Sequence, residues 1–345
     1  MSVMTVLGPV CADALGVTLA HEHLFLDLRN QFSEFADPER RRISHGTLTL
    51  ASAGLLRRNP YAIRDNLLLD DLDLAVQEVA PFQALGGRTL VDCTSVGIAR
   101  DPLKLRALAQ RTGLNIIAGC GYYTQDTHHT DIAQLSQAQL ADRMVADLTE
   151  GIDGTGIKAG VIGELGTSAP IHPDEAKVLH AAALAFRQAP AAIQVHTYPW
   201  GQHGIEAARI LLAGGVDPAK TVVCHADVAL SRPYIRSLLA LGVWVEFDNL
   251  GKEFANDENE GGFAGGTFAG DAERVRVLVE LIEAGYARQL LITDDLCLKC
   301  MLHAYGGWGY DHVQRHIVPM LQRAGVSQET TDALLIDNPR RLLDT

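Results

Sequence analysis

Six residues of metal-ligand type stand where apolar runs of this chain end. In Leu19-Ala20-His21-Glu22-His23 the two imidazoles are two positions apart, so an extended strand turns His21 and His23 to one side and Glu22 to the other. Two convergent imidazoles can chelate an ion, although such a pair is also an ordinary polar strand end. Gly160-Val161-Ile162-Gly163-Glu164 closes on a carboxylate, which is expensive to bury unless it is ligated or salt-bridged. Ile193-Gln194-Val195-His196 and Val222-Val223-Cys224-His225 each close on a histidine that, taken alone, reads as a core side chain. Thr293-Asp294-Asp295 ends another run and, taken alone, reads as a helix cap. Together the set offers four imidazoles and two inward carboxylates, the donor inventory of a borderline-soft ion such as zinc, with enough groups for two ions. Two divalent ions sharing a carboxylate would hold a hydroxide between them, lower its pKa and polarise a substrate oxygen, which is the chemistry of hydrolysis.

Placing these groups together requires a parallel sheet whose strands all end at one face. Eight short β-branched or apolar runs are found at 17–23, 89–94, 115–119, 159–164, 193–196, 221–225, 243–247 and 290–295. Helical periodicity follows in segments such as 103–110, 173–188, 233–240 and 271–284. His172-Pro173-Asp174-Glu175 carries the proline and acids of a helix's first turn. Eight βα units predict a (β/α)8 TIM barrel of the α/β class, one domain spanning 1–345, with catalytic groups at the C-terminal ends of its strands. Segments 24–65 and 249–270 are irregular, the second rich in Gly and Asn, and are expected to lie over the barrel mouth.

The 345-residue chain is 47% apolar and 21% charged, the profile of a packed globular protein. Its net charge of −13, with no clustered Lys or Arg, argues against nucleic acid as a partner. With no basic-then-apolar leader and no run long enough for a membrane span, the expected setting is the cytoplasm, without a membrane partner. The six scattered cysteines read as reduced thiols, and Cys297-x-x-Cys300 lacks the second ligand pair that a structural zinc site wants.

On these residues the chain resembles the phosphotriesterase family of the amidohydrolase superfamily. The resemblance runs nearly end to end, through Thr5-Val6-Leu7-Gly8-Pro9, Leu19 to His23, Val96-Gly97-Ile98-Ala99-Arg100-Asp101-Pro102, and Tyr305-Gly306-Gly307-Trp308-Gly309-Tyr310-Asp311-His312. It implies that His21, His23 and Asp295 ligate the more buried ion and that His196 and His225 ligate the more exposed one. It also implies that Asp295, not Asp294, is the general base, since the family's aspartate closes a Ser-X-Asp triplet. Much of the family bridges its ions with a carboxylated lysine. Here Ile162-Gly163-Glu164 places Glu164 as the bridge, as in the phosphotriesterase homology proteins, and Lys158 lies too early in the strand to serve. Tyr123 resembles a tyrosine that lies near the bridging hydroxide in lactonase members. Arg100 and Lys252 are candidates to neutralise an anionic substrate group, with a solvated or salt-bridged role the favoured alternative for each, and Trp200 and Trp308 read either as pocket wall or as core.

The reading that follows is a hydrolase using two divalent ions, zinc by donor chemistry, to cleave a carboxylic ester or lactone of a small-molecule substrate. Two alternatives stand beside it. One is a phosphotriester or N-acyl amide hydrolase using the same site; the other is a non-catalytic ligand-binding barrel. The resemblance also implies a homodimer as the family's common assembly.

Overall fold

The short apolar runs form eight parallel strands, buried on both faces, as expected where helices cover a sheet. They are β1 (Val17–Glu22), β2 (Gly87–Asp92), β3 (Asn115–Cys120), β4 (Val161–Thr167), β5 (Ala192–Thr197), β6 (Thr221–Val223), β7 (Trp244–Phe247) and β8 (Leu290–Ile292). This computed structural model describes residues 2–129, 131–257 and 262–344; residues 258–261 of the irregular segment after β7 lie outside the described residues. Each strand pairs with the next in chain order, for example Val222 with Trp244 and Phe247 with Ile292. Helices α1 (Leu72–Ala84), α2 (Pro102–Thr112), α3 (Gln137–Thr149), α4 (Pro173–Gln188), α5 (Gly204–Ala213), α6 (Arg232–Ala240) and α7 (Asp271–Glu283) follow β1 to β7 in turn. The result is a (β/α)8 barrel. No described helix is long and apolar enough to cross a membrane.

Two layers of packing hold it. Ala20, Val91, Ile117, Val161, Ala192, Val222, Trp244 and Leu291 fill the interior, plugged from the N-terminal end by Val3, Leu15, Leu342 and Leu343. Alternate residues, including Leu90, Ile116, Ile162, Ile193, Val223 and Ile292, pack outward against the helices. The expected helix start at His172 is present. Glu175, in the first turn of α4, accepts from the backbone N–H of His172 at 2.8 Å, Ser168 at 2.8 Å and Gln125 at 3.0 Å, tying the loops after β3 and β4 to one carboxylate.

The seam between β1 and β8 is closed largely by side chains. Thr293 Oγ1 donates to the His21 carbonyl at 3.0 Å, and the Asp295 N–H reaches the same oxygen at 3.2 Å. Glu22, expected on the face opposite His21, does lie there but does not reach solvent. It is fully buried and accepts from Thr293 Oγ1 at 2.5 Å and from the N–H groups of Asp294 and Leu296, each at 2.9 Å. Exchanging Glu22 for Ala would strand two buried backbone donors, those of Asp294 and Leu296, each worth about 1–3 kcal/mol, while Thr293 keeps the His21 carbonyl. The variant is expected to unfold at lower urea concentration, by about 2–4 kcal/mol; an unchanged urea midpoint would show that Glu22 does not close the barrel.

Candidate active site

Regular strands would not bring the six expected residues to one point. Ala20 packs inside the barrel, yet His21 beside it also faces the axis, and Val161 and Glu164, an odd number of positions apart, both face inward. The pairing register slips between Leu19 and Glu22 against β2 and between Ile162 and Leu165 against β5. Such irregularities re-aim side chains next to sites. The slip in β4 passes through Gly163, where φ is +134° and a Cβ would meet the Gln194 carbonyl at 2.4 Å, so only glycine fits. His225 (φ 61°) and Asp295 (φ 41°) lie just past their strands in the left-handed region, a conformation that costs a non-glycine residue on the order of 1 kcal/mol and must be held by its surroundings.

With these departures the donors converge on Glu164. His21 Nε2 lies 3.5 Å from Glu164 Oε2, His196 Nδ1 3.3 Å and His225 Nε2 3.4 Å, while His23 Nε2 lies 3.4 Å from Oε1. Asp295 Oδ1 sits 3.2 Å from His23 Nε2 and 3.8 Å from His21 Nε2. The donor atoms of His21, His23 and Asp295 lie within 4.8 Å of one another, as do those of His21, Glu164 and His225. Asp294, by contrast, is turned away from the axis beside Glu22. Burial and that neighbouring carboxylate raise its carboxyl well above the usual range, so it keeps its proton.

A second ring of side chains fixes the imidazoles. Nδ1 of His21 meets Glu246 Oε2 at 3.0 Å, Nδ1 of His23 meets Thr94 Oγ1 at 2.9 Å, and Nδ1 of His225 meets Asp248 Oδ1 at 3.1 Å. Each contact orients a ring and leaves its Nε2 facing the centre, the arrangement found behind metal-ligating histidines. Glu246 and Asp248 did not emerge from the sequence reading. The signal was present, since Glu246-Phe247-Asp248 has the same two-apart spacing at a strand end as His21 and His23.

Burial opposes charge on His21, but Glu164, Glu246 and Asp295 outweigh it and raise His21 to about 9. His23, likewise opposed by burial, is raised to about 10 by Asp295 and Glu164. Burial would raise the carboxyl of Glu164, yet the facing histidines hold it well below the carboxylate range. Asp295, also pushed up by burial, is held down by Lys252 and the histidines. The residues fit a metal centre on two grounds. The donor set is nitrogen-rich with carboxylates, and the buried atoms His21 Nε2 and Glu164 Oε2 have no hydrogen-bond partner, an arrangement that a cation between them would relieve.

Of the remaining candidates, Tyr123 reaches the site, its hydroxyl 3.1 Å from His196 Nδ1 and kept protonated by burial. Arg100 does not. Its guanidinium is bound to Asp147 at 2.6 Å and Asp153 at 2.7 Å beside α3, lining a separate outer cavity, because paired carboxylates there offset its burial. Lys252 lies inside the site, its ammonium in direct contact with Asp295 Oδ2. Trp200 stacks behind Phe263 and Phe268 at ring distances of 6.0 and 5.2 Å, whereas Trp308 lines another pocket with Leu48 and Leu56. Cys297 lines the site as a neutral thiol, and all six cysteines are free. Above the donors opens a cavity of about 480 Å³ between Gln31, Phe32, Thr124, Ser168, Tyr198 and Phe263.

A parallel barrel with a histidine and carboxylate centre at the C-terminal ends of its strands defines a metallohydrolase-type scaffold. The chain belongs to the phosphotriesterase family, whose model matches residues 1–343. An N-acetyltaurine hydrolase of Tetraodon nigroviridis is 36% identical over 343 residues, covering 99% of this chain and 97% of the relative. Among solved structures, a resiniferatoxin-binding protein from Rhodobacter sphaeroides superposes with a TM-score of 0.95 at 36% identity, covering 99% of this chain and 95% of that one. The phosphotriesterase homology protein of Escherichia coli, complexed with phosphate in its active site, gives 0.79 at 30% identity over 96% and 100% of the two chains. A mutant phosphotriesterase-like lactonase of Deinococcus radiodurans gives 0.78 at 30% over 99% of each.

Because the neighbouring carboxylates raise His21 and His23 and so favour their protonated forms, uptake of a divalent ion is expected to displace protons. Affinity is expected to climb as the pH rises towards 9. Calorimetry in two buffers of different ionisation heat reads the proton count, and uptake without proton release would contradict the assignment.

Proposed function

We propose that the chain is a divalent-metal-dependent hydrolase of an N-acyl amino compound, with N-acetyltaurine the first substrate to test. The observation that carries this reading is full-length similarity to N-acetyltaurine hydrolases in a chain that retains a complete donor set. It displaces the ester or lactone reading expected from sequence, since the lactonase neighbour is less similar.

In this reading His21, His23 and Asp295 would hold one ion and His196 and His225 the other, with Glu164 the carboxylate available to both. When bound, two such ions supply Lewis-acid activation of water and of the scissile carbonyl. The chain's own groups do the rest. Asp295, ionised at neutral pH, accepts the proton of the attacking water and returns it to the departing amine nitrogen. The Tyr123 hydroxyl, held protonated, donates to the carbonyl oxygen as negative charge develops there. Tyr61, Phe263 and Phe268 line the centre and exclude bulk water, which strengthens each of these polar contacts.

The test is release of taurine from N-acetyltaurine by zinc-loaded protein, with a lactone panel alongside. Asp295→Asn is expected to reduce turnover on the order of a thousandfold, and Glu164→Ala to lower the metal content per chain by elemental analysis. Faster lactone than amide cleavage would return the function to the lactonase reading. Full metal occupancy with no turnover of either substrate would favour the ligand-binding barrel.

A further inference from the structure

We infer that Lys252 is a specificity-determining residue that holds an anionic group, a sulfonate or carboxylate, on a short tether from the scissile amide; the inference rests on the amide-hydrolase reading and names the substrate class within it. Two adjoining cavities meet at Gln31, His196 and Phe263, and among the described residues lining them Lys252 is the one lysine or arginine. The outer cavity carries a carboxylate, Asp126, and no lysine or arginine, while the inner one sets Lys252 beside Glu164 and Asp295, so a fixed ammonium for an anionic end is found only in the inner cavity.

The lysine is firmly placed despite standing on an irregular segment. Its N–H donates to the Asn249 carbonyl at 3.0 Å, and its own carbonyl accepts from Arg274 Nη1 at 3.2 Å. Arg274 is fully buried and is paired in turn with Asp227 at 3.0 Å and Asp271 at 3.1 Å. Asp271 also receives the Gly251 N–H at 2.9 Å. The turn from Asn249 to Lys252 is thereby fixed, and so is the origin of the side chain.

Lys252 is only 4% exposed, and its ammonium contacts Asp295 Oδ2, while Oδ1 of the same carboxylate faces His23. An ammonium carries three donors. Asp295 takes one and Cys297 a second, which leaves one donor for a bound anion. Because Lys252 touches the proposed base, an anion bound to it must follow the reacting carbonyl closely. A charged group about two carbons beyond the amide nitrogen meets that requirement, and a neutral N-acyl amine of equal length forfeits the charge-assisted contact.

The experiment compares zinc-loaded wild type, Lys252→Met and Lys252→Arg on N-acetyltaurine and on N-acetylethanolamine, which carries a hydroxyl in place of the sulfonate. Calorimetric binding of ethanesulfonate and metal content are measured on the same proteins. The methionine variant is expected to lose roughly 10–100-fold more in kcat/KM on the anionic amide than on the neutral one. That differential should fall in KM, together with loss of ethanesulfonate binding, and arginine should restore most of it. Equal losses on both amides, or metal loss that accounts for the deficit, would overturn the proposal by reducing Lys252 to a support for Asp295. If wild type cleaves neither amide, the functional reading has failed, and ethanesulfonate decides the anion site alone. Binding that Lys252→Met abolishes upholds the site, whereas absent or unaltered binding refutes it.

Discussion

The Glu164 carboxylate, enclosed by four imidazoles in the mouth of a barrel, is the interaction on which the rest of the structure turns. An ionised carboxylate out of water is tolerated only when opposite charge or good donors surround it. Here His21, His23, His196 and His225 supply them from β1, β5 and the end of β6. His21, His23 and His225 have Glu246, Thr94 and Asp248 behind them, so that these three rings are held from both sides. The backbone yields to this demand. Two register slips, one obligatory glycine and two left-handed residues all lie within the strand ends that carry the donors. Local irregularity in an otherwise regular barrel is thereby concentrated where charge has to be gathered.

Much of this was legible in the sequence because it rests on short-range pattern. Strands buried on both faces read as continuous apolar runs, and a histidine or carboxylate interrupting the end of such a run is conspicuous. All eight strands and the six donor residues stood out for that reason, and the whole-chain family match agrees with the resemblance carried by the N-terminal and loop motifs. What pattern could not show was register. A strict alternation rule places His21 and Ala20 on opposite faces and cannot foresee a slip that brings both inward. It also sends Glu22 outward without saying that outward means the β1–β8 seam. For Arg100 the salt-bridged reading held and the substrate contact did not; its partners Asp147 and Asp153 are distant in sequence, so nothing near it names the pairing that draws it to α3.

A lactonase and an N-acetyltaurine hydrolase are both full-length relatives of this chain, which makes the centre a poor guide to substrate. The discriminating information lies in the loops that roof it. In this chain those loops are tethered unevenly. Glu175 ties the segments after β3 and β4 together, and Arg274 clamps the turn after β7. The roof of the cavity is therefore held by one buried carboxylate and one buried ion-pair cluster, a more rigid arrangement than loop composition alone suggests.

Adjacent residues of β1 serve two ends. His21 faces the metal-ligand cluster, and Glu22, one position on, fastens the backbone that follows β8. Closing the cylinder and completing the site are consequently a single event, made by segments more than 270 residues apart in sequence. Loop closure over such a separation comes late in folding, after the local βα units have formed. His21 thus leaves synthesis long before Asp295, and the cluster in which the two lie 3.8 Å apart is whole only once the last strand has docked.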